Sequence, residues 1–298
     1  MKTTAHNAAP TWPAQPLSPG LPFQVAGASV VGHEHRRLER NNQDALGWLV
    51  ADDAIFAVVA DGCGSSRHSE VGAKIGARLM VAALARRWSD AIGRDAAALP
   101  SWLIEPACAE VLTHLRAAAE AMGGDITRNL SDYFLFTLVG AVVTPTATVV
   151  FAIGDGVVAV NGAVQELGPF PDNRPPYLAY SLLADRSGAA PEAALTIHAQ
   201  LPTPALDTLL IATDGASELS SARELRLPGR DEPAGGLDQF WRDERYFRNP
   251  DAIRRRLWLM NRAPLKPDWD RHRVARVPGL LPDDTTLIAI RRSGQERS

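Results

Sequence analysis

Residues 209–219 read LLIATDGASEL. The apolar run at the start of this stretch is typical of a strand that enters a hydrophobic core. It ends directly in Thr213, Asp214 and Gly215, so a carboxylate stands where a buried strand stops. Asp-Gly is among the commonest turn dipeptides. Taken alone, the stretch therefore indicates an ordinary turn.

The pattern of an apolar strand next to a carboxylate recurs along the chain. Asp61 follows the run AIFAVVA, and Asp155 follows TVVFAIG. Asp283 and Asp284 stand just before the run TTLIAI, and Asp44 stands at the start of another strand-like run. If these strands pack side by side, their carboxylates meet at one end of the fold.

Carboxylates gathered in this way repel one another, and their pKa values rise. Divalent cations remove the repulsion. A site made only of oxygen atoms suits hard ions such as Mg²⁺ or Mn²⁺ and disfavours zinc and copper. A glycine follows Asp61, Asp155 and Asp214, which predicts sharp turns with carbonyls able to approach an ion. The alternative is a set of unrelated turns, and the joint placement favours the metal centre.

The strand-like runs are joined by short turns, which favours antiparallel pairing. Helical patterns are fewer and do not alternate regularly with the strands, so the sequence predicts an α+β fold rather than a doubly wound parallel sheet. The clearest helix begins at Ser69, which is predicted as its N-cap. Its predicted apolar stripe consists of Val71, Ile75, Leu79 and Ala83.

Composition indicates an ordinary globular protein, with 46% hydrophobic and 22% charged residues among 298. The formal net charge of −3 gives no electrostatic reason to expect nucleic-acid binding. Two cysteines, Cys63 and Cys108, form no disulfide framework and predict a cytoplasmic protein. The longest apolar stretch, 134–153, is broken by TPTAT, so no membrane association is predicted.

The domain prediction is a single folded unit. Residues 1–22 contain five prolines and predict a disordered lead-in. Residues 23–292 form the domain, in which 216–281 is an irregular insertion because a strand pattern returns at 285. Residues 293–298 are predicted to be a tail.

Six segments occur in a recognisable order: NNQDA (41–45), VVADGCG (58–64), SEVGA (69–73), IGDG (153–156), IATDG (211–215) and DDTTLIAI (283–290). This ordered set resembles the metal-dependent protein phosphatase family (PPM, type 2C), and its bacterial branch in particular. The resemblance implies a four-layer α-β-β-α sandwich with two central antiparallel sheets flanked by helices. It also implies hydrolysis of phosphoserine or phosphothreonine in proteins by a water activated at a binuclear Mn²⁺ or Mg²⁺ centre.

The resemblance assigns the catalytic metal ligands residue by residue. Asp61 would bridge the two ions, and the Gly62 carbonyl would bind one of them. Asp214 and Asp283 would hold the first ion. Asp61, Asp214 and Asp283 are therefore the predicted catalytic residues.

The remaining family positions would surround these ligands. Gln43 and Asp44 would lie around the second ion, mostly through water. Asp155 with Asp214 would offer a third, weaker metal position. Asp284 and Thr286 would orient their neighbours rather than touch metal.

This sequence departs from the family pattern around the phosphate. Many members place a phosphate-binding arginine where this chain has Glu39, and we predict that His35 or Arg40 takes that role. Many have glutamate at the position of Gln43, and eukaryotic members often have histidine at the position of Cys63. These departures leave open a pseudophosphatase, which would bind a phosphoprotein or partner without hydrolysis.

A third possibility is a hydrolase of small phosphate esters. For the protein phosphatase, the expected partners are a phosphoprotein substrate and a Ser/Thr kinase as functional counterpart. A basic loop, DRHRVARV (270–277) together with Lys266, could receive an acidic or phosphorylated substrate, although the usual exposure of charged residues favours an ordinary surface loop.

Overall fold

A computed structural model describes residues 20–51, 53–90, 95, 98–187, 194–270 and 272–294. Two five-stranded antiparallel sheets pack face to face, and helices cover their outer faces. The predicted α+β fold with four layers is therefore confirmed.

Strands and helices are numbered in chain order. The strands are β1 (Phe23–Val30), β2 (Asp44–Val50), β3 (Ile55–Gly62), β4 (Phe136–Val143), β5 (Ala147–Ile153), β6 (Gly156–Val160), β7 (Ala163–Leu167), β8 (Thr196–Pro202), β9 (Thr208–Ala212), β10 (Leu265–Asp268), β11 (Arg273–Arg276) and β12 (Thr285–Arg292). The helices are α1 (His33–Arg37), α2 (Ser69–Ser89), α3 (Glu105–Ala121), α4 (Ile126–Tyr133), α5 (Tyr180–Ser187), α6 (Glu218–Ser221), α7 (Gln239–Arg242), α8 (Arg245–Arg248) and α9 (Ala252–Met260).

The first sheet has the order β1-β12-β9-β6-β7 and the second has the order β2-β3-β4-β5-β8. Alternate residues of the central strands point into the space between the sheets, where Ile55, Val139, Ile211 and Ile288 belong to one buried apolar cluster. The other faces of these strands pack under helices: α2 and α3 cover the second sheet, and α7 to α9 cover the first. Both faces of the central strands are thus buried, which explains their near-continuous apolar runs.

Helix α2 does not pack through the stripe that the sequence predicts. His68 occupies the N-cap position, and Ser69 is the first helical residue, its Oγ accepting a hydrogen bond from Gln43. Val71 and Ile75 are 37% exposed, so the predicted stripe is wrong at these two positions. The buried face is built mainly from small residues: Ser69, Gly72, Ala73, Gly76, Ala77, Met80, Val81, Ala83 and Leu84. Small residues let the helix axis approach the sheet closely.

Gly76 illustrates this close approach and carries a stability prediction. A Cβ atom at this position would overlap the ring of Phe136 on β4. We expect Gly76→Val to lower the free energy of unfolding by about 3 kcal/mol, because overpacking a buried site displaces its neighbours. Urea denaturation measures this change. Arg78→Val, on the exposed side of the same helix, should change stability by less than about 0.5 kcal/mol, and equal losses in the two variants would contradict the packing argument.

The segment 216–281, predicted as irregular, contains α6 to α9 and the β10–β11 hairpin. Its buried side chains pack onto the outer face of the first sheet. Of the predicted lead-in, only residues 20–22 are described, and Leu21 there is buried. Residues 1–19 and 295–298 lie outside the described part. Among the described helices, none has the length and apolar character needed to cross a bilayer.

Candidate metal centre

Five aspartates converge at one end of the sandwich. Asp44 begins β2 and lies directly opposite Asp61, near the end of β3. Asp155 precedes β6, Asp214 follows β9 and Asp283 lies just before β12. Because β9 pairs with both β6 and β12, these three residues share one end of the first sheet. The structure thus brings together carboxylates from all five segments that the sequence singled out.

Burial and mutual repulsion act on this cluster. Burial raises the pKa of Asp61 well above its usual range, and repulsion from Asp44, Asp214, Asp283 and Asp155 raises it further. Burial, then repulsion from Asp214, raises the pKa of Asp155 to about 6. Burial and the neighbouring Asp283 also raise the pKa of Asp214. Full ionisation near neutral pH therefore requires a compensating positive charge.

Asp44 is oriented by a threonine from the other sheet. Thr213 Oγ1 donates a hydrogen bond to Asp44 Oδ2 at 2.8 Å, and it accepts one from the Thr286 backbone N–H at 3.0 Å. The pKa of Asp44 is nevertheless raised, because burial and repulsion from Asp284 outweigh these hydrogen bonds. The hydrogen bond thus fixes the position of the Asp44 carboxyl group but does not compensate a negative charge on it.

Two buried oxygens at this end of the fold lack hydrogen-bond donors. Gln43 Nε2 donates to Ser69 Oγ at 2.9 Å, but Gln43 Oε1 accepts no hydrogen bond from any described residue. Asp44 Oδ1 likewise has no described donor. Unpaired buried oxygens are costly, and a hard divalent cation or its bound water would satisfy both. The donor set therefore fits a Mg²⁺ or Mn²⁺ centre.

Asp284 connects three segments around the cluster. Its Oδ1 accepts a hydrogen bond from the Gly32 backbone N–H at 2.7 Å, and its Oδ2 accepts one from the Gln43 backbone N–H at 2.6 Å. His35 Nδ1 lies 2.9 Å from the same Oδ2. Next to it, Thr286 Oγ1 donates to Ser29 Oγ at 2.6 Å. Through these contacts, Asp284 and Thr286 hold the segments that carry Gly32, Gln43, His35 and Ser29.

The two predicted phosphate-binding residues stand on either side of the cluster. His35 lies on α1, with its Nδ1 4.0 Å from Asp283 Oδ1. One ligand atom each from His35, Asp283 and Asp284 lies within 4.8 Å of the others. Arg40 is exposed and its Nη1 donates to the carbonyl of Gly64 at 3.3 Å, in the loop that follows Gly62. The structure therefore separates the two candidates, with His35 beside Asp283 and Arg40 beside β3.

The glycines after the aspartates serve different purposes. Only Gly156 of the three has a positive φ, at 149°, so the sharp turn predicted from sequence applies there alone. A Cβ at Gly62 would lie 2.8 Å from Ser69, and one at Gly215 would collide with the carbonyl oxygen of Asp284. Gly62 and Gly215 are therefore needed because another segment passes close to the backbone.

An open cleft of about 310 Å³ adjoins the aspartates. It is lined by Glu34, His35, Asp214, Gly215, Ser217, Glu218, Pro282 and Asp283. Four of these eight residues are acidic, so the cleft repels a phosphate group unless cations occupy it. The lining of the cleft is thus acidic, like the aspartate cluster beside it, and both fit a site for cations.

Sequence reasoning missed two residues near the site. Thr213 belongs to the ATDG motif, so its position beside Asp214 was a usable signal. Tyr177 comes from the segment between β7 and β8, and nothing in its sequence context marks it. Burial raises the pKa of the Cys63 thiol, but hydrogen bonds with Ser65 and Tyr177 outweigh burial and lower it overall. Cys63 is buried, as expected of a packed residue.

A family profile and several solved structures match this chain. The sequence profile described as Protein phosphatase 2C matches residues 31–248, a range that includes Asp44, Asp61, Asp155 and Asp214. No curated protein matches the chain significantly. Among solved structures, the serine/threonine phosphatase Stp1 from Staphylococcus aureus is 15% identical with a TM-score of 0.53, and the match covers 94% of this chain and 99% of that one.

A second structure, a bacterial serine phosphatase, is also 15% identical, with a TM-score of 0.50 over 92% of this chain and 100% of that one. At such low identity the structural matches establish the fold alone. The profile covers well over half of the sequence and includes five of the six ordered segments, from NNQDA to IATDG. The chain belongs to the Protein phosphatase 2C family.

Proposed function

We propose that this protein hydrolyses phosphoserine and phosphothreonine in proteins, using two Mn²⁺ or Mg²⁺ ions. The observation that carries the proposal is the convergence of Asp44, Asp61, Asp155, Asp214 and Asp283, where burial and mutual repulsion raise the pKa values of Asp44, Asp61, Asp155 and Asp214. Asp283 is exposed and lies near His35, but the other four form no ion pair with a described basic side chain. Largely buried carboxylates of this kind are a poor structural element but a good cation site.

The proposed ligands follow from position. Asp61, between both sheets, would contact both ions, and the Gly62 carbonyl would add a ligand beside it. Asp214 and Asp283 would complete the first site. When bound, such ions neutralise phosphate charge and lower the pKa of water.

A second set of residues would lie around the other ion. Gln43 and Asp44 offer the two unpaired oxygens described above. Asp155, beside Asp214, would contribute to a third and weaker position. Asp284 would act only through its neighbours, because Gly32 and Gln43 already engage both of its oxygens.

The protein itself would position the substrate. His35 and Arg40 are the residues we assign to the substrate phosphate, from opposite sides of the cluster. His35 Nδ1 lies 2.9 Å from Asp284 Oδ2, and in its imidazolium form the ring would donate a hydrogen bond from Nε2 to a phosphate oxygen. A phosphate monoester on a flexible segment of a protein fits the open cleft.

The test is a substrate panel measured with Mn²⁺ and with a chelator. We expect hydrolysis of a phosphothreonine peptide and of an aryl phosphate, and a loss of at least about 10²-fold when the metal is removed. A preference for nucleotides or sugar phosphates over peptides would favour the small-ester hydrolase. Peptide binding without turnover, in protein that demonstrably holds Mn²⁺, would favour the pseudophosphatase.

The cellular setting is also a proposal. A Ser/Thr kinase that phosphorylates the same substrate would be the functional counterpart, and the cytoplasm would be the compartment, in agreement with two unpaired cysteines.

A further inference from the structure

The hairpin formed by β10 and β11, residues 265–276, stands out from the rest of the surface. In its register Pro267 lies opposite Val274 and Leu265 lies opposite Arg276, so Leu265 and Val274 share one face. Leu265 and Val274 are both 64% exposed, and Trp269 at the tip is 79% exposed. Large apolar side chains this exposed, grouped on one element, mark an interaction surface.

The hairpin is also unsupported by either central sheet. It forms a separate two-stranded sheet, and no other described strand pairs with either of its edges. A lone two-stranded hairpin is marginally stable in water. Covering its apolar face with a partner would supply the burial that it lacks.

The charge of this segment identifies the kind of partner. Residues 262–276 contain five arginines and lysines and two aspartates, in a chain whose formal net charge is −3. Arg276 lies on the same face as Leu265 and Val274, and Lys266 lies on the opposite face. Both are exposed, and no described acidic side chain forms an ion pair with either. A basic surface with an exposed tryptophan is complementary to an acidic segment that also carries apolar side chains.

The nearby arginine run 254–256 differs in this respect. Arg254 and Arg255 both pair with Asp251, and Arg256 pairs with Glu232. Those charges are satisfied within the protein. Of these two basic segments, the hairpin is therefore the one that leaves charges, on Lys266 and Arg276, available to a partner.

The base of the hairpin is tied to the rim of the acidic cleft. The Val277 N–H donates to the Pro264 carbonyl at 3.0 Å and closes the hairpin. Just before it, the buried Asn261 donates from Nδ2 to the Val31 carbonyl at 2.8 Å and accepts from the Leu281 N–H at 3.3 Å. The Leu281 carbonyl in turn accepts from the first N–H of α1 at 3.0 Å.

Helix α1 carries His35, and Pro282 and Asp283 follow Leu281 in the wall of the cleft. The base of the hairpin is thus connected to the wall of the cleft through Asn261 and Leu281. We propose that the hairpin is a docking surface for an acidic segment flanking the phosphorylated residue of the substrate protein, with Trp269 as its apolar anchor. This inference rests on the proposed phosphatase function, whose substrate it specifies.

Binding of labelled peptides to the full-length protein tests the docking surface. The probes are a phosphothreonine peptide flanked by glutamates and phenylalanine, and a matched peptide flanked by lysines. In chelator no turnover occurs, and every variant keeps the same acidic cleft, so differences in anisotropy between variants and wild type report the hairpin. We expect charge reversal in the hairpin to weaken binding of the glutamate peptide and not that of the lysine peptide. Lys266→Glu/Arg276→Glu should weaken binding of the glutamate peptide about five- to tenfold, and Trp269→Ala about tenfold.

The matched control is Arg78→Glu/Arg116→Glu, which makes the same charge change on exposed positions of α2 and α3, under the second sheet. This variant should bind the glutamate peptide within about twofold of wild type. Equal losses in both double variants, or no loss in either, would overturn the proposal. Tighter binding of single-stranded DNA than of the peptide would also overturn it, since the partner would then be a nucleic acid.

Hydrolysis in Mn²⁺ separates this proposal from the proposed function. If both are right, the hairpin variants raise KM for the glutamate peptide and leave aryl-phosphate turnover unchanged. If the phosphatase function is wrong, no substrate is turned over, whereas the effect of the variants on peptide binding in chelator persists. If only the docking surface is wrong, wild type and the hairpin variants hydrolyse the glutamate peptide with the same KM and the same turnover.

Discussion

Replacing Asp61 by asparagine should lower the turnover of an aryl phosphate in Mn²⁺ by at least about 10³-fold, because a residue between both proposed ions contributes several kcal/mol of charge stabilisation. Asp61 is the buried carboxylate that receives repulsion from four others, Asp44, Asp155, Asp214 and Asp283. An amide has the same shape but cannot supply the negative charge that two cations share. Steady-state rates at saturating Mn²⁺ measure the effect.

The same substitution should not unfold the protein. Without metal, Asp61→Asn removes a buried charge that its neighbours repel, so we expect the melting temperature in chelator to equal or exceed that of wild type. Asp90→Asn, at an exposed position after α2, serves as the control and should keep full turnover. Wild-type rates in the Asp61→Asn variant would remove Asp61 from the reaction and the proposed centre with it.

Metal-free protein should lose stability as the pH rises from about 4 to above 6, and Mn²⁺ should reverse the loss. Burial and repulsion raise the folded-state pKa of Asp155 to about 6, and they raise those of Asp44, Asp61 and Asp214. The folded state therefore binds more protons than the unfolded state in this range. Stability must fall as pH passes upward from the unfolded to the folded pKa values.

Mn²⁺ binds the ionised carboxylates, so its effect should grow with pH. At pH 7.5, free Mn²⁺ at about 100 times its dissociation constant should raise the melting temperature by about 5 to 10 °C. At pH 5 the increase should be much smaller. Thermal melts in chelator and in Mn²⁺ across this range give both curves, and the Asp61→Asn variant should show a weaker Mn²⁺ response. A metal-free melting temperature that rises steadily from pH 5 to pH 8 would contradict the charge balance described here.

The strands and the meeting of the aspartates were predictable from the sequence for a single reason. A strand buried on both faces must be apolar along its length, so Asp61 and Asp214 stand out at the points where burial ends. Antiparallel neighbours then bring such end points together, as the pairing of β2 with β3 does for Asp44 and Asp61. The pattern therefore contained both the fold class and the position of the carboxylates.

Other features depend on the distances between packed elements, which the spacing of apolar residues in the sequence does not reveal. The buried face of α2 follows small residues, because the closeness of helix and sheet, rather than apolar character, decides which side packs. Gly76 against Phe136 is an example. Likewise, the hydrogen bond from Thr213 to Asp44 joins residues 169 positions apart, and only the packing of one sheet on the other creates it.

The placement of the two outermost ends of the domain has a practical consequence. Phe23 at the start of β1 lies opposite Arg292 at the end of β12, whereas Val30 and Thr285, at the other end of the same pair, adjoin the aspartates. The exposed turn at Pro145 and Thr146 between β4 and β5 is also remote from them. A polypeptide joined directly at residue 23 or residue 292, or a label at the Pro145–Thr146 turn, would leave from the pole opposite the cleft. Fusion partners, surface tethers and reporter dyes attached at these positions would thus leave the cleft uncovered.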